Sequence, residues 1–528
     1  MNLKIACVGG GPGGLFFATL MKSANPDAEV TVFERNRADD TFGFGVVFSD
    51  ATLAGIHAAD PVLRTALEEY GVHWDRIEVR VKGERFGCGG NGMTAVVRKT
   101  LLSLLQERAR QAGVDLRFET EVDLEDVAGY DLVVAADGAN SRLREQLNPH
   151  FQPSAETASA KFIWFGTSYL FDGLTFVHVR APEGVFAVHG YPISPEMSTF
   201  IVETDEETWR RAGLDEFDVT QPPGPSDLRT KAYLENLFAG EIDGHPLVVN
   251  NSRWGNFRTR RAATWHHGNV ALVGDSAHTA HFSVGSGTKM AMEDAIALAA
   301  ALDRHPDDIP AALRAYEAAA RPAVERIQGS ARPSLSWWEH FGRYHDTLEP
   351  WQFSFHFLSR SIGVEKLARR DPDYVATIRS RWREAADADV LATPLTLANR
   401  NLAGRVVDVA ENGQGPYATA AGDPSLRVPL RTAPSGDRPW ALSLSAPADE
   451  AGLPEALAAL RAGLRNKPDL VAIHGGSRLV RTLISEECRM AAGVPTLLVE
   501  ADAAADDAET LVLSGRADLV AAVPEVSA

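Results

Sequence analysis

Two glycine-rich stretches, far apart in the chain, constrain its fold more than anything else in it. The first, IACVGGGPGGLFFATL, places Gly9, Gly11 and Gly14 in G-x-G-x-x-G spacing, between an apolar strand at Ile5 to Val8 and a helix from about Leu15. Glycines at these points permit a tight turn and close backbone approach to a pyrophosphate, and the helix N-terminus adds oriented amides and a partial positive charge. Pro12 and Gly13 lie inside the same turn, and Glu34 follows twenty residues after Gly14, at the end of a strand predicted over Glu29 to Phe33. An acid there accepts from ribose hydroxyls, with Arg35 beside it. This constellation predicts a dinucleotide site without choosing the dinucleotide.

The second stretch, GNVALVGDSAHTAHFSVGSGTKMAMED, spans residues 268–294. Val270 to Val273 reads as a strand, Gly274 and Asp275 turn the chain, and Gly285, Ser286, Gly287 and Thr288 open a long helix whose amides point at a bound ring system. Between the two stretches, DLVVAADGANSRLR puts Asp137 and Gly138 in a turn after a strand. Asp275 is placed to accept from a ribityl hydroxyl.

Taken in this order, the three motifs resemble the single-component FAD-dependent aromatic hydroxylases. That family's usual final pattern is G-D-A-A-H, a proline, then G-x-G-x-N; here Phe282 stands at the proline position and Lys289 at the asparagine position. Together with FERNRADDTFGFGVVFSD and KFIWFGTSYLFDGLTF, the stretch HFSVGSGTKMAMEDA resembles a subgroup, the salicylyl-CoA 5-hydroxylases and anthraniloyl-CoA monooxygenases, over about residues 1–390. The resemblance implies an α/β fold: a Rossmann-like FAD-binding domain interleaved with a mixed or antiparallel substrate-binding sheet. It implies FAD as cofactor, NADH or NADPH as transient reductant and O2 as co-substrate, with oxygen delivered through a flavin C4a-hydroperoxide. Arg98 matches the family arginine near the flavin. The expected substrate is an aromatic acyl thioester, salicylyl-CoA oxygenated para to its hydroxyl; anthraniloyl-CoA, or a free or carrier-bound aromatic, remain open. A reading of another class, a flavin-binding scaffold without turnover, also stays open.

An exposed peroxide decays, so ring and oxidant need a dry cavity. Small and apolar residues from Gly43 to Phe48 on one side and His281 to Gly287 on the other would line it, with Val46 and Val47 against the cofactor. Phe48, Trp164, Phe165 and Phe282 are expected around the aryl group. A group that accepts a hydrogen bond from the substrate hydroxyl would activate the ring, and His281 is the first candidate catalytic residue. His278 is expected to be structural. The phosphates of a CoA carrier need cationic partners, for which Arg369 and Arg370 form one candidate cluster and Arg258, Arg260 and Arg261 another.

A formal charge of -19 argues against sequence-independent nucleic-acid binding, which rests on clustered cations. Cys7, Cys88 and Cys488 form no C-x-x-C pair, so neither a disulfide framework nor a metal site is expected, and the chain fits a reducing cytoplasm. No apolar run reaches the roughly 18 residues of a membrane span.

The strand and helix patterns suggest a FAD-binding domain from 1–75, 95–150 and 262–330, and a substrate-binding sheet from 76–94 and 151–261. A helical extension over 331–391 and a small parallel α/β domain over 392–528 follow. Within the last, TPLTLANRNLAGRVVD and CRMAAGVPTLLVEADAAADDAETLVLSGRADLVAA resemble the two ends of an old-yellow-enzyme barrel. An eight-stranded barrel typically needs about 250 residues, so an incomplete remnant without its own FMN is expected. Apolar helices near the C-terminus offer either a homodimer surface or a cover for this sheet.

Overall fold

The computed structural model describes residues 3–41, 43–222, 224–282, 287–412, 415–434, 436, 438–500 and 505–522. It falls into two compact units, one comprising Met1–Arg80 and Gly90–His340, the other Val81–Gly89 and Phe341–Ala528.

In the first unit, three separated segments build one six-stranded sheet. Its order is His266–His267, Val270–Leu272, Leu132–Ala135, Lys4–Val8, Glu29–Phe33 and Asp115–Arg117, parallel throughout except for the antiparallel first pair. The central strands IACV, VTVF and LVVA are apolar at nearly every position because helices cover both faces. Helix Pro12–Ala24 starts directly after the first glycine turn, several residues before the expected Leu15, and packs on helix Gly287–Arg304. Gly13 makes that packing close: a Cβ there would stand 3.2 Å from Ala291 and from Val273.

The second sheet is antiparallel, in the order Leu247–Val248, Pro153–Thr167, Met197–Thr204, Gly184–Ser194, Leu174–Ala181 and Ile77–Val81, with Gly255–Ala262 also paired to Pro153–Thr167. Residues opposite one another across such strands share a face. One face carries Ile163, Phe165, Val177, Phe186, Val188, Phe200 and Val202, which form a core with Leu234 and Phe238 of the segment behind it. The other face carries two transverse rows, Phe162–Glu203–Ala187–His178 and Trp164–Ile201–His189–Phe176. A small sheet of Gly45–Ser49, Met93–Val97 and Val72–Trp74 completes the unit.

Two helices follow the second glycine-rich stretch, Gly287–Arg304 and Ile309–Thr347, with the chain broken between them. The second does not stop near Ser330; it continues through Pro322 and Pro333 and takes in Trp337 and Trp338.

The C-terminal part of the second unit corrects the expectation of an incomplete, purely parallel remnant. Seven strands, Val406–Asn412, Gly415–Ala420, Asp423–Arg431, Ala441–Ser445, Leu470–His474, Thr496–Glu500 and Leu519–Ala522, close into a barrel, the last pairing with the first at Val406 to Val520. The first three strands are antiparallel neighbours and the rest parallel. Antiparallel hairpins need only short turns where a parallel crossover needs a dozen residues or more. That economy, and seven strands in place of eight, lets a short segment close. Leu470, Ala472, Leu497, Leu519 and Ala521 fill the interior. The apolar side of helix Arg478–Ala492 is buried within this unit, so it covers the barrel.

Candidate active site

The cofactor cradle lies at the C-terminal ends of the parallel strands. Gly9 adopts φ +113°, and a Cβ there would come within 2.2 Å of the Ala136 carbonyl, so only glycine fits. Gly11 is the opposite case. Among the described residues nothing lies within 4 Å of where its Cβ would be, and this open space sits at the N-terminus of helix Pro12–Ala24, which has no side-chain cap. Gly14 backs directly onto the Gly9 carbonyl. Glu34 is at the tip of the neighbouring strand, its Oε2 accepting from Gly10 N at 2.7 Å and its Oε1 from Asn36 N at 2.8 Å. Arg35 beside it is exposed.

Asp137 caps the helix at Arg142–Gln146 through Oδ2, accepting from Arg142 N at 2.8 Å, while its buried Oδ1 has no hydrogen-bond partner among the described residues. Gly138 follows with φ +84° and open space around it. Asp275 is set deep in the fold with its carboxylate open to the cleft; desolvation raises its pKa, opposed by His278 and Arg98. Arg98 opens the helix Arg98–Ala112, and among the described residues its buried Nε has no hydrogen-bond partner. Burial lowers its pKa, against the pull of Tyr191 and Asp275. Gly287 and Thr288 begin their helix next to Asp275, a Cβ on Gly287 lying 4.0 Å from Asp275 Oδ1. Gly285 and Ser286 lie outside the described residues. Orphaned polar atoms at Asp137 and Arg98, an open glycine at a helix N-terminus and an acid at the ribose position are what a bound FAD would complete, so the residues present fit that group.

Beyond the cradle, Phe44, Trp74, Ala95, Tyr191, Ile193 and Ile201 form an apolar cluster that Val47, Trp164 and Phe282 pack against. Phe282 stands 5.8 Å from Trp164, 5.1 Å from Phe162 and 5.5 Å from His189, ring centre to ring centre. His281 is 2% exposed, meets the Phe257 ring edge-on and lies tilted against the Phe282 ring. Its Nε2 lies 3.8 Å from Glu203 Oε2, and Glu203 Oε1 lies 2.7 Å from His189 Nε2. Burial pushes the Tyr191 hydroxyl up to about 12, against Thr199 and Arg98.

Several expected site residues are placed elsewhere by strand alternation. Val46 and Phe48 point into the core of the dinucleotide domain, whereas Val47 between them faces the aromatic cluster. Phe165 faces the back of the antiparallel sheet, whereas Trp164 faces the cleft. Of the expected aryl-binding residues, the structure therefore gathers Trp164 and Phe282, with Val47 on the same cluster and His281 beside Phe282, and corrects Phe48 and Phe165. Arg369 and Arg370 are exposed in the last turn of helix Val364–Arg370, in the second unit. The other arginine cluster is divided by its strand: Arg261 pairs with Glu156 at 2.8 Å, Arg260 reaches Asn140 at 3.0 Å, and Arg258 is exposed.

Glu203, His189 and Tyr191 were missed in the motif reading. The available signal was a carboxylate closing the otherwise apolar run FIVE, but its facing depends on register, which no spacing in the sequence supplies.

Residues 2–330 match the family model described as FAD binding domain. The chain is 58% identical over 520 residues to salicyloyl-CoA 5-hydroxylase of Streptomyces sp, covering 98% of this chain and 99% of that protein. It is 37% identical to 3-hydroxy-4-methyl-anthranilyl-[aryl-carrier protein] 5-monooxygenase of Streptosporangium sibiricum, over 63% of this chain and 89% of the relative. The p-nitrophenol 4-monooxygenase of Pseudomonas putida shares the fold at a TM-score of 0.54 and 18% identity, over 72% of this chain and 97% of its own. The chain belongs to the FAD-binding-domain family, and within it to the FAD-dependent aromatic hydroxylases.

Proposed function

We propose that this protein hydroxylates salicylyl-CoA at the position para to its hydroxyl group, consuming NAD(P)H and O2, and that it does so in the cytoplasm. The observation that carries the reading is the placement of His281, a buried imidazole, within an aromatic wall of Trp164, Phe257 and Phe282 beside the cofactor cradle. The full-length likeness to a salicyloyl-CoA 5-hydroxylase supports the same substrate.

FAD, when bound, supplies reduction by the nicotinamide and activation of O2. The protein's part is placement. The amides of Gly11, Gly13 and Gly14 would take the pyrophosphate, Glu34 the adenosine ribose, and Asp275 and Arg98 the ribityl and ring end. Trp164, Val47 and Phe282 clamp the aryl group and keep water out. His281 accepts the hydrogen bond of the phenolic hydroxyl, which drives electron density towards the para carbon as the C–O bond forms. Glu34, Asp137 and Asp275 are all acids, which suits hydroxyl-rich ribose and ribityl groups and leaves the anionic phosphates to backbone amides.

The test is turnover by the FAD-loaded chain with a panel of thioesters and free acids. The expected result is NAD(P)H oxidation stimulated by salicylyl-CoA with a product one oxygen heavier. Stimulation by free salicylate alone overturns the thioester assignment, and a chain that stays colourless with FAD overturns the enzyme assignment.

A further inference from the structure

The face of the antiparallel sheet that meets Phe282 carries one compact group of ionisable side chains. Glu203, 1% exposed, stands between two histidines that are themselves buried: His189 Nε2 at 2.7 Å from one carboxylate oxygen and His281 Nε2 at 3.8 Å from the other. The three come from different places in the chain. His189 and Glu203 lie on adjacent strands of the sheet, and His281 on the segment that leaves the Gly274 turn. His189 is enclosed by Trp338 at 4.4 Å and Phe176 at 4.9 Å, and His281 by Phe257 at 5.0 Å.

A carboxylate removed from water needs compensation, and counted by themselves these three side chains are neutral when they hold one ionising proton. That is a poor choice for core packing, where an apolar trio of the same volume would cost nothing in desolvation. It is a suitable choice where a second proton must be taken up transiently beside an anion.

We propose that Glu203 is a positioning residue for the hydroxylation: it orients His281, and with His189 it sustains the positive charge that arises when His281 takes the phenolic proton of the substrate. This rests on the phenolic substrate assigned above. In the step, the substrate O–H bond breaks and an N–H bond forms on the His281 imidazole. The imidazolium is then balanced by the phenolate on one side and the carboxylate on the other, and the ring stays activated while the para carbon is attacked. No electron changes hands. Three other titratable groups share this face, His178, Tyr191 and the exposed Arg180 at the strand end. His178 stacks on Trp338 at 6.3 Å, and Tyr191, next to Arg98 and Thr199, belongs to the cofactor side.

An amino group activates a ring through its lone pair without losing a proton. The two substrates therefore make an internal control. Full-length FAD-loaded wild type, Glu203→Gln, Glu203→Asp and His189→Gln are compared for oxygen transfer to salicylyl-CoA and to anthraniloyl-CoA across pH. In Glu203→Gln the salicylyl-CoA kcat is expected to fall by about a hundredfold, in the range seen for general-base groups, and to recover towards high pH. Any anthraniloyl-CoA rate is expected to change severalfold less, and Glu203→Asp to lie between wild type and Glu203→Gln. Because the ratio is taken within one preparation, it does not depend on how much protein folds. Should Glu203→Gln fail to take up FAD, His189→Gln decides by the same ratio. An unchanged ratio together with an unchanged pH profile overturns the role of Glu203 while leaving the proposed function standing. If wild type oxygenates only anthraniloyl-CoA, no phenolic proton is transferred, and the substrate assignment and the role of Glu203 are overturned together. Oxygen transfer to neither thioester overturns both readings together.

Discussion

His278 Nε2 lies 2.8 Å from Asp294 Oδ2 inside the core of the dinucleotide domain, and each residue is 1% exposed. The same carboxylate oxygen accepts from Gly274 N, also at 2.8 Å. The histidine of GDSAH thus ties the turn that carries Asp275 to the helix that begins at Gly287. Removing one partner leaves a buried group unpaired, which costs about 3–5 kcal/mol when the pair is ionic. We expect Asp294→Ala to lower the melting temperature and weaken FAD binding, and His278→Ala to do the same to a smaller extent. Thermal denaturation and flavin fluorescence titration measure the two effects.

Gly9 and Gly11 predict opposite phenotypes from neighbouring positions. In Gly9→Ala the new Cβ meets the Ala136 backbone at a positive φ, so the apoprotein itself should be destabilised or fail to fold. In Gly11→Val the side chain enters open space, so the apoprotein should melt as wild type does while FAD affinity falls at least tenfold. Melting of both apoproteins, with FAD titration of the second, separates the two cases.

Trp164 and Phe165 should also divide. Phe165 is fully buried behind the sheet, so Phe165→Ala is expected to cost about 3–5 kcal/mol of stability with little change in KM for the protein that folds. Trp164→Ala is expected to leave the melting temperature nearly unchanged, raise KM and divert NAD(P)H oxidation into hydrogen peroxide. Denaturant titration and the ratio of product to reductant consumed distinguish them.

The second unit carries a pH dependence of its own. Glu486 is buried among His356 Nε2 at 3.1 Å, Arg516 Nε at 3.6 Å and the Tyr344 hydroxyl. Burial and the Arg516 charge push His356 down to about 4, although Glu486 pulls the other way. An unfolded histidine titrates near 6.5, so between about 6.5 and 4 the unfolded chain binds a proton that the folded one does not. Burial works to raise the Glu486 pKa, but His356, Arg516 and Tyr344 outweigh it and hold the group below an ordinary carboxylate. Its stabilising effect is present above the unfolded value and is lost as pH falls through the folded one. Both groups have the same sign: stability falls with acidification, starting below about pH 6.5. Melting as a function of pH should show this decline, and His356→Gln should flatten its upper part.

The dinucleotide fold and its cofactor were legible because they rest on local facts. Apolar runs, glycine spacing and an acid at a strand end act within a few residues of one another, and each element that they predict is present. Arrangements that depend on strand register were not legible. Val47 against Phe48, and Trp164 against Phe165, differ by one position and face opposite sides, because the side-chain period of a strand is two and only pairing decides which set meets the cleft. Barrel closure was hidden for a related reason: residues 395–431 carry no strong periodicity, and their short antiparallel strands supply the turns that a parallel count omits.

By itself, then, the amino-acid sequence determined that this chain forms a nucleotide-binding α/β fold of the flavin hydroxylase type, since those features are written in contiguous segments. Only the tertiary structure decided that Glu203 stands between His189 and His281, and that seven strands close a ring, because both require residues far apart in the chain to be brought to one place by packing.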